Sequence, residues 1–479
     1  MMISYIMMVI KRQCALLSLT ALFLLVLSAN MYFVYLIVEE KSPNVVTGKE
    51  NGGSKPEQYA NLVAIKKTVK PATKVKISKV VQHRNATIKA MKNIQQKVTV
   101  LPSKYFKTNL MYKKLMQELI DDLKPTADIS TTLWSTAEKW VKAREIVPER
   151  SSLLGSVLRT LCSTRIVHAE NARHGTQLKL LLTLQDNQKA IFKPQWYPRT
   201  EMIEGPVYAG KDRHNAEVAA FHLSILLGLR RCPLTVGRKV NLRSEIMPVA
   251  TDDLFDTFYQ EGNNTCLYGV CYYCSPQDPV CAHKNVMEGA LIMWLPSGPS
   301  YKLKKFRHPW QRTYRVDMAA RWETDEKYCA RVKASSLYNP KSGPRLLDLI
   351  DTAIFDFLID NGDRHHYEVF ENSPASVVLL LDNGKSFGHP YQDHIDILAP
   401  LYQCCLMRKS TWERLLLFKG GTALSTSLGA LLQHSHITPV LSPPHLQALD
   451  RRLQIVFAAT EICFEQYSKE RVLMNDSSS

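Results

Sequence analysis

Two carboxylates stand nineteen residues apart in positions where they could work on one substrate. Asp363 opens Asp363-Arg364-His365-His366-Tyr367-Glu368, and Asp382 heads Asp382-Asn383-Gly384 after an apolar run from Val377 to Leu381. A carboxylate just past a helix can take the proton of an attacking hydroxyl. A second one, delivered by a buried strand, can hold a divalent cation, and that pair is the layout of phosphoryl transfer. Phosphates also need cations. Lys193, in Ala190-Ile191-Phe192-Lys193-Pro194, is a strand lysine of the kind sent towards a nucleotide, and Lys179 stands on the other arm of the same hairpin. Glu217 lies early in the segment from Asp212 to Gly228, where a helical carboxylate can pair with and orient Lys193. Five residues after the base, where ordinary kinases place a metal-binding Asn, this chain has Glu368, either a metal ligand or the partner of an arginine.

Neither Gly-x-Gly-x-x-Gly nor the full Walker pattern Gly-x-x-x-x-Gly-Lys-Ser/Thr occurs, which leaves His174-Gly175-Thr176-Gln177 as the cover for phosphates. A standard protein kinase is excluded by that absence, and a divergent one is not.

The elements that must position these groups can be read from periodicity. Leu346, Leu347, Ile350, Ala353, Ile354, Phe357 and Leu358 recur at helical spacing from Pro344 to Asp360, giving a core helix that ends at the Asp363 loop. Alternation over Gln177 to Leu184 and Lys189 to Pro194, with the polar Gln185 to Gln188 between, gives a hairpin. Asp212 or Asn215 is the expected cap of the helix carrying Glu217. Helical patterns with Trp134 and Trp140, from Thr411 to Phe418 and from Leu446 to Cys463, complete an α+β chain of two lobes with a mainly helical second lobe. Trp294, Trp310 and Trp322 lie in an aromatic-rich stretch suited to a sugar face or to sealing the two lobes together.

With 479 residues, 45% of them hydrophobic and 22% charged, the chain can bury a large core. Its net charge of +17 does not indicate nucleic acid. Sixteen lysines and one arginine against Glu50 and Glu57 fall between Lys41 and Lys114, so that segment holds almost all of the excess. Lys11-Arg12 precedes an uncharged, mainly apolar run from Gln13 to Val38, long enough to span a bilayer as a type II signal anchor; Leu27-Ser28-Ala29 leaves cleavage open. The expected division is a cytoplasmic tail at 1–12, a membrane span at 13–38, a basic luminal stem at 39–114, a first lobe with a cysteine-rich loop at 115–290, a catalytic lobe at 291–470 and a loose tail at 471–479.

Ten of the eleven cysteines lie beyond the anchor, in an oxidising compartment that favours disulfides. Cys266, Cys271, Cys274 and Cys281, with His283 beyond, could hold zinc, but in that compartment a stapled loop is the expected use. Asn85, Asn263 and Asn475 stand in glycosylation sequons.

The assembled set resembles the atypical kinases of the secretory pathway, the family that includes the Golgi casein kinase and the glycosaminoglycan xylosylkinase, over about residues 130 to 465. Its landmarks are Phe192-Lys193-Pro194, Asp212 to Leu223, Asn263-Asn264-Thr265-Cys266, Asp363 to Glu368, Asp382-Asn383-Gly384 and Gln403-Cys404-Cys405. The xylosylkinase branch is the more similar, through Tyr208-Ala209-Gly210, Met287-Glu288-Gly289, Arg307-His308-Pro309-Trp310 and Ile397 to Tyr402, with Asp212 where protein-directed members carry Glu. The resemblance implies a divergent kinase-like fold in the Golgi lumen that transfers the ATP γ-phosphate to the 2-hydroxyl of xylose in the proteoglycan linkage region, using Mn²⁺ or Mg²⁺. It implies Lys179 and Lys193 at the phosphates, Glu217 and Asp382 at the metal, and Asp363 as base. It also implies the pairs Cys266–Cys281, Cys271–Cys274, Cys329–Cys404 and Cys405–Cys463, leaving Cys162 and Cys232 unassigned. A luminal Ser/Thr protein kinase and a non-catalytic pseudokinase are the competing expectations.

Overall fold

The computed structural model describes residues 85–475 except residues 174, 316 and 374. The expected cytoplasmic tail, the span at 13–38 and most of the stem lie outside the described residues. Among the described residues, no helix is long and apolar enough to cross a membrane.

The stem expectation fails at its C-terminal end. Helix α1, Asn85–Thr99, packs Met91, Ile94 and Val98 on the core while Lys89 and Lys92 face solvent. The lysines that read as a solvated spacer are one side of an amphipathic helix. Tyr105 beyond it is fully buried and stacks on Phe457 with ring centroids 4.7 Å apart. Helices α2 (Tyr112–Leu123), α3 (Leu133–Trp140) and α4 (Leu154–Ser163) follow.

An antiparallel sheet of five strands forms the first lobe: β1 (Ile166–Asn171), β2 (Leu180–Leu184), β3 (Lys189–Pro194), β4 (Thr235–Asn241) and, later in sequence, β8 (Val286–Met293), in the order β1-β2-β3-β8-β4. The β2–β3 hairpin stands where alternation places it, turned by Asp186 and Asn187 at φ 59° and 66°. Helix α5, His214–Leu226, packs against the sheet. Strands β5 (Phe258–Glu261), β6 (Asn264–Leu267) and β7 (Val280–Cys281) make a small separate sheet. The expected lobe boundary at residue 290 falls inside β8, which is the strand between β3 and β4 and runs on to Met293, so the sheet and not a linker occupies that position.

Beyond β8 come strand β9 (Leu303–Arg307), helix α6 (Arg345–Ile359), strand β10 (His366–Phe370, paired with β9), and helices α7 (Ala399–Cys404), α8 (Lys409–Leu417), α9 (Ala423–Leu432) and α10 (Pro443–Tyr467). Every residue of α6 is buried, its aspartates included. Arginines meet them: Asp348 pairs with Arg144 at 2.8 Å and Arg408 at 2.7 Å, Asp351 with Arg231 at 3.3 Å, and Asp356 with Arg364 at 2.5 Å. Buried carboxylates persist when they are paired in this way. Trp310 and Trp322 are buried too, their indole N–H groups donating to Gln403 and to the Gln311 carbonyl, so of the three tryptophans only Trp294 shows a large exposed face.

Two further expectations are corrected. The run from Val377 to Leu381, buried as far as Leu380, is not a strand: one bridge joins Leu379 to Glu368, and the amides of Val377 and Leu380 go to Ala143 and Arg231 carbonyls. The stretch from residue 471 is not loose as far as Met474. Val472 is buried, and Leu473–Met474 pair in parallel with Met407–Arg408, so an apolar Val-Leu-Met triplet ties down the start of an otherwise polar tail. Residues 476–479 lie outside the described residues.

Disulfides join Cys266 to Cys281, Cys271 to Cys274, Cys329 to Cys404 and Cys405 to Cys463. Cys162 and Cys232 are free thiols. Burial pushes them up to about 11 and about 12, so neither is a thiolate at neutral pH.

Candidate active site

Lys193 emerges from β3 opposite Ala290 of β8, with Gly289 beside it where a Cβ would strike the Phe192 ring. Its ammonium, 5% exposed, donates to Glu217 Oε1 at 2.6 Å, Asp382 Oδ1 at 2.6 Å and Asp212 Oδ2 at 3.0 Å. Three carboxylates from two stretches of chain therefore converge on one nitrogen. Burial opposes the charge on Lys193, but the carboxylates, Asp212 foremost, outweigh it and raise its pKa well above the usual lysine value. Asp382 is held below the usual carboxylate range, chiefly by the Lys193 charge. Its side chain is 68% exposed.

Glu217 is fixed from behind by Asn383, whose backbone N–H and side-chain amide donate to it at 2.9 and 3.2 Å. The helix that carries it is not capped as expected. Asp212 is drawn to Lys193 and lies 3.9 Å from Lys385, while Asn215 donates to the Val440 carbonyl. Gly384 makes room for Asp212: a Cβ there would lie 2.7 Å from its Cγ. The Arg213 backbone donates to the Gly384 carbonyl and its side chain to that of Ser386, so residues 212–213 and 384–386 are sewn together.

Asp363 sits in the loop after α6, its amide bonded to the Asn361 side chain. Tyr314 donates to its carboxylate, and the ring of Tyr208 leans on Tyr314 with centroids 4.7 Å apart. The His365 ring is 3.7 Å from the carboxylate, and the bond to Asp363 raises the His365 pKa. Arg364 ties this loop to Asp382. It binds Asp356 through two nitrogens and donates to the Leu381 carbonyl and to Asn383 Oδ1. Gly362 meets Val207, whose methyl would lie 2.0 Å from an added Cβ.

Lys179 precedes β2 beneath Gly175, where an added Cβ would sit 2.3 Å from its Nζ. Burial, and then the charge of Lys193, lower its pKa. The loop between β1 and β2 is braced from outside by the cysteine-rich loop. Tyr273 N–H donates to the Thr176 carbonyl, Val270 N–H to Asn171, and Asp278 pairs with Lys211 on the segment leading to Asp212. His174 lies outside the described residues. Glu368 is half-buried in β10, bridged through its backbone to Leu379, three residues before Asp382; a metal role for it rests on that position alone.

Asn263 is exposed at the β5–β6 turn, Asn475 is exposed near the end of the described chain, and Asn85 begins α1. Sequence reasoning missed Asn383, Arg364, Lys385 and Tyr314 as parts of the site. Asn383 and Arg364 adjoin the two carboxylates and could have been drawn from that adjacency; nothing in the sequence singles out Tyr314.

A sequence model of the family described as "Fam20C: Golgi casein kinase, C-terminal, Fam20" matches residues 132–472. The chain is 51% identical over 367 residues to the glycosaminoglycan xylosylkinase of Homo sapiens, covering 76% of this chain and 88% of that one. The solved structure of hydra Fam20 with sugar is similar at a TM-score of 0.69 and 45% identity, over 72% of this chain and 98% of that one. The Golgi casein kinase with Mn/ADP bound is similar at 0.68 and 30% identity, over 78% and 95%. The two-lobed, kinase-like architecture of those proteins is that of this chain, which belongs to the Fam20 family.

Proposed function

We propose that this chain transfers the γ-phosphate of ATP to the 2-hydroxyl of xylose in the glycosaminoglycan–protein linkage region. One observation carries the phosphotransferase reading: Lys193 gathers Asp212, Glu217 and Asp382, while Arg364 locks the neighbouring Asp363 loop to Asn383. The donor set fits a hard divalent cation, since neighbouring carboxylate oxygens suit Mn²⁺ or Mg²⁺. Asp382 and Glu217 would hold the ion, which offsets phosphate charge when bound. Lys179 and Lys193 would face the phosphates. Asp363 orients the acceptor hydroxyl and takes its proton at a carboxylate oxygen, with Tyr314 holding that carboxylate in place.

The choice of xylose is supported by 51% identity to the human xylosylkinase against 40% to the human extracellular serine/threonine protein kinase of the same family. A pseudokinase is disfavoured because a scaffold has no need of Lys193, Glu217, Asp363 and Asp382 together. The relatives named for the Golgi, the four disulfides and the apolar run at 13–38 support a type II Golgi membrane protein with this body in the lumen. The test is to incubate the protein with ATP, Mn²⁺ and either a xylose-containing linkage glycan or an acidic serine peptide. Labelling of the glycan is expected; labelling of the peptide alone would overturn the substrate assignment.

A further inference from the structure

We infer that β9 is a docking strand for an acidic stretch of the polypeptide that carries the acceptor sugar. The inference rests on the xylose reading above. Strand β9 and the residue before it read Lys302-Leu303-Lys304-Lys305-Phe306-Arg307, four cations in six residues, and all but Phe306 are exposed. Among the described residues, β10 is the one strand partner of β9. The bonded pairs Lys302 with Glu371 and His308 with His365 fix the pattern between them. Lys304 and Phe306 turn their amides to β10, and Leu303, Lys305 and Arg307 turn theirs outward.

An outward row of amides and carbonyls can bind an extended polypeptide by adding a strand, which a polysaccharide cannot reproduce. Lysines on an edge also deter indiscriminate pairing. They do so by charge, and an acidic strand is the partner that this charge favours. Lys302 is occupied by Glu371 at 2.7 Å, and Glu368 stands opposite Lys305 in register. Lys304 lies over the Phe306 ring at 5.6 Å, its side chain exposed. Arg307 donates to Gln311 and lines a groove with Arg321, Arg331 and Trp322.

Position completes the case. The residue after β9, His308, donates its backbone N–H at 3.0 Å to the His365 carbonyl, two residues past Asp363. A chain laid along the outer edge of β9 therefore has one end beside His308, one strand spacing, about 5 Å, from the segment that is bonded to His365. Five strand residues extend about 17 Å, enough for about five residues flanking the sugar-bearing one.

The experiment compares the full-length protein with its Lys304→Glu/Lys305→Glu variant on three acceptors: a peptide-free xylose-containing linkage glycan, the same glycan on a peptide flanked by Asp and Glu, and the same glycan on a peptide flanked by Asn and Gln. The acidic glycopeptide should have the lowest KM for the unaltered protein, and the variant should raise it about tenfold. Turnover of the peptide-free glycan should stay within about twofold, which also shows that the variant is folded. The preference should fade with added salt, because exposed charges are screened beyond about 8 Å at physiological ionic strength. Equal KM values for the two glycopeptides, or an equal loss on all three acceptors, would overturn the inference. So would inhibition by a heparin fragment that the variant abolishes while the two glycopeptides behave alike, since the strand would then read a polysaccharide. Failure of the unaltered protein to label any of the three acceptors would refute the xylose reading instead.

Discussion

Replacing Lys193 by Met should destabilise the protein and abolish activity, and the size of each effect follows from what the ammonium leaves behind. Glu217 and Asp212 have side chains only 3% and 7% exposed, so each loses its closest cation in a site with little water. Removing one partner of a buried pair costs about 3–5 kcal/mol through the stranded charge. Asp382, 68% exposed, is solvated and adds within about 1 kcal/mol. Asp212 keeps Lys385 at 3.9 Å, and Glu217 keeps the two Asn383 bonds, so the loss should approach the figure for one stranded carboxylate and not for two. Adding Glu217→Gln removes that carboxylate while keeping its shape, and about 2 kcal/mol should return. Urea denaturation of the oxidised proteins measures both changes. If Lys193→Met/Glu217→Gln is less stable than Lys193→Met, the two residues contribute independently and the stranded-charge argument is wrong. Both variants should lose at least about a hundredfold in turnover, because the phosphate-facing charge is gone in each.

Asp363→Ala and Asp382→Ala should each lower turnover by at least about a hundredfold while leaving the fold intact; near-normal phosphorylation by Asp382→Ala protein would sink the metal assignment. Gly384→Ala should reduce activity at unchanged expression, since its Cβ would lie 2.7 Å from Asp212 Cγ and push that carboxylate off Lys193; a variant with normal KM for ATP would refute this. His365 has a raised pKa in the folded state, from its bond to Asp363, so the folded protein holds the proton more tightly than the unfolded chain. That stability is present below about pH 6.5 and lost as pH rises through the raised value. The denaturation midpoint, compared at pH 6 and pH 8, should shift less in His365→Gln than in the unaltered protein. Cys271→Ser/Cys274→Ser should raise KM for ATP several-fold with little change in the melting of the helical lobe, because the loop it frees braces Thr176 and Asn171.

The parts of the site that follow from local pattern were legible in the chain. A hairpin lysine, a helical glutamate and a carboxylate after an apolar helix are each marked by periodicity, and Lys193, Glu217 and α6 stand where that periodicity places them. What joins them was not. Asp212 looks like a helix cap until the fold brings Lys193 to it, and Arg364 looks like an ordinary loop cation until Asp356 and Asn383 appear on either side. Contacts between residues more than a hundred positions apart, such as Asn383 with Glu217, leave no periodic trace. The lysines of α1 misled for a related reason: charge density hides an apolar stripe when the stripe is only three residues long.

The brace on the β1–β2 loop carries a consequence for how the protein matures. Ordinary kinases give that loop a run of glycines, whereas this chain has Gly175 alone and leans it on a loop closed by Cys271–Cys274. The firmness of the nucleotide grip is thus added after synthesis, by oxidation. A newly made, still reduced copy would assemble its sheet and helices yet hold ATP loosely. On the proposed function, phosphoryl transfer would then begin only in surroundings oxidising enough to supply that covalent clasp.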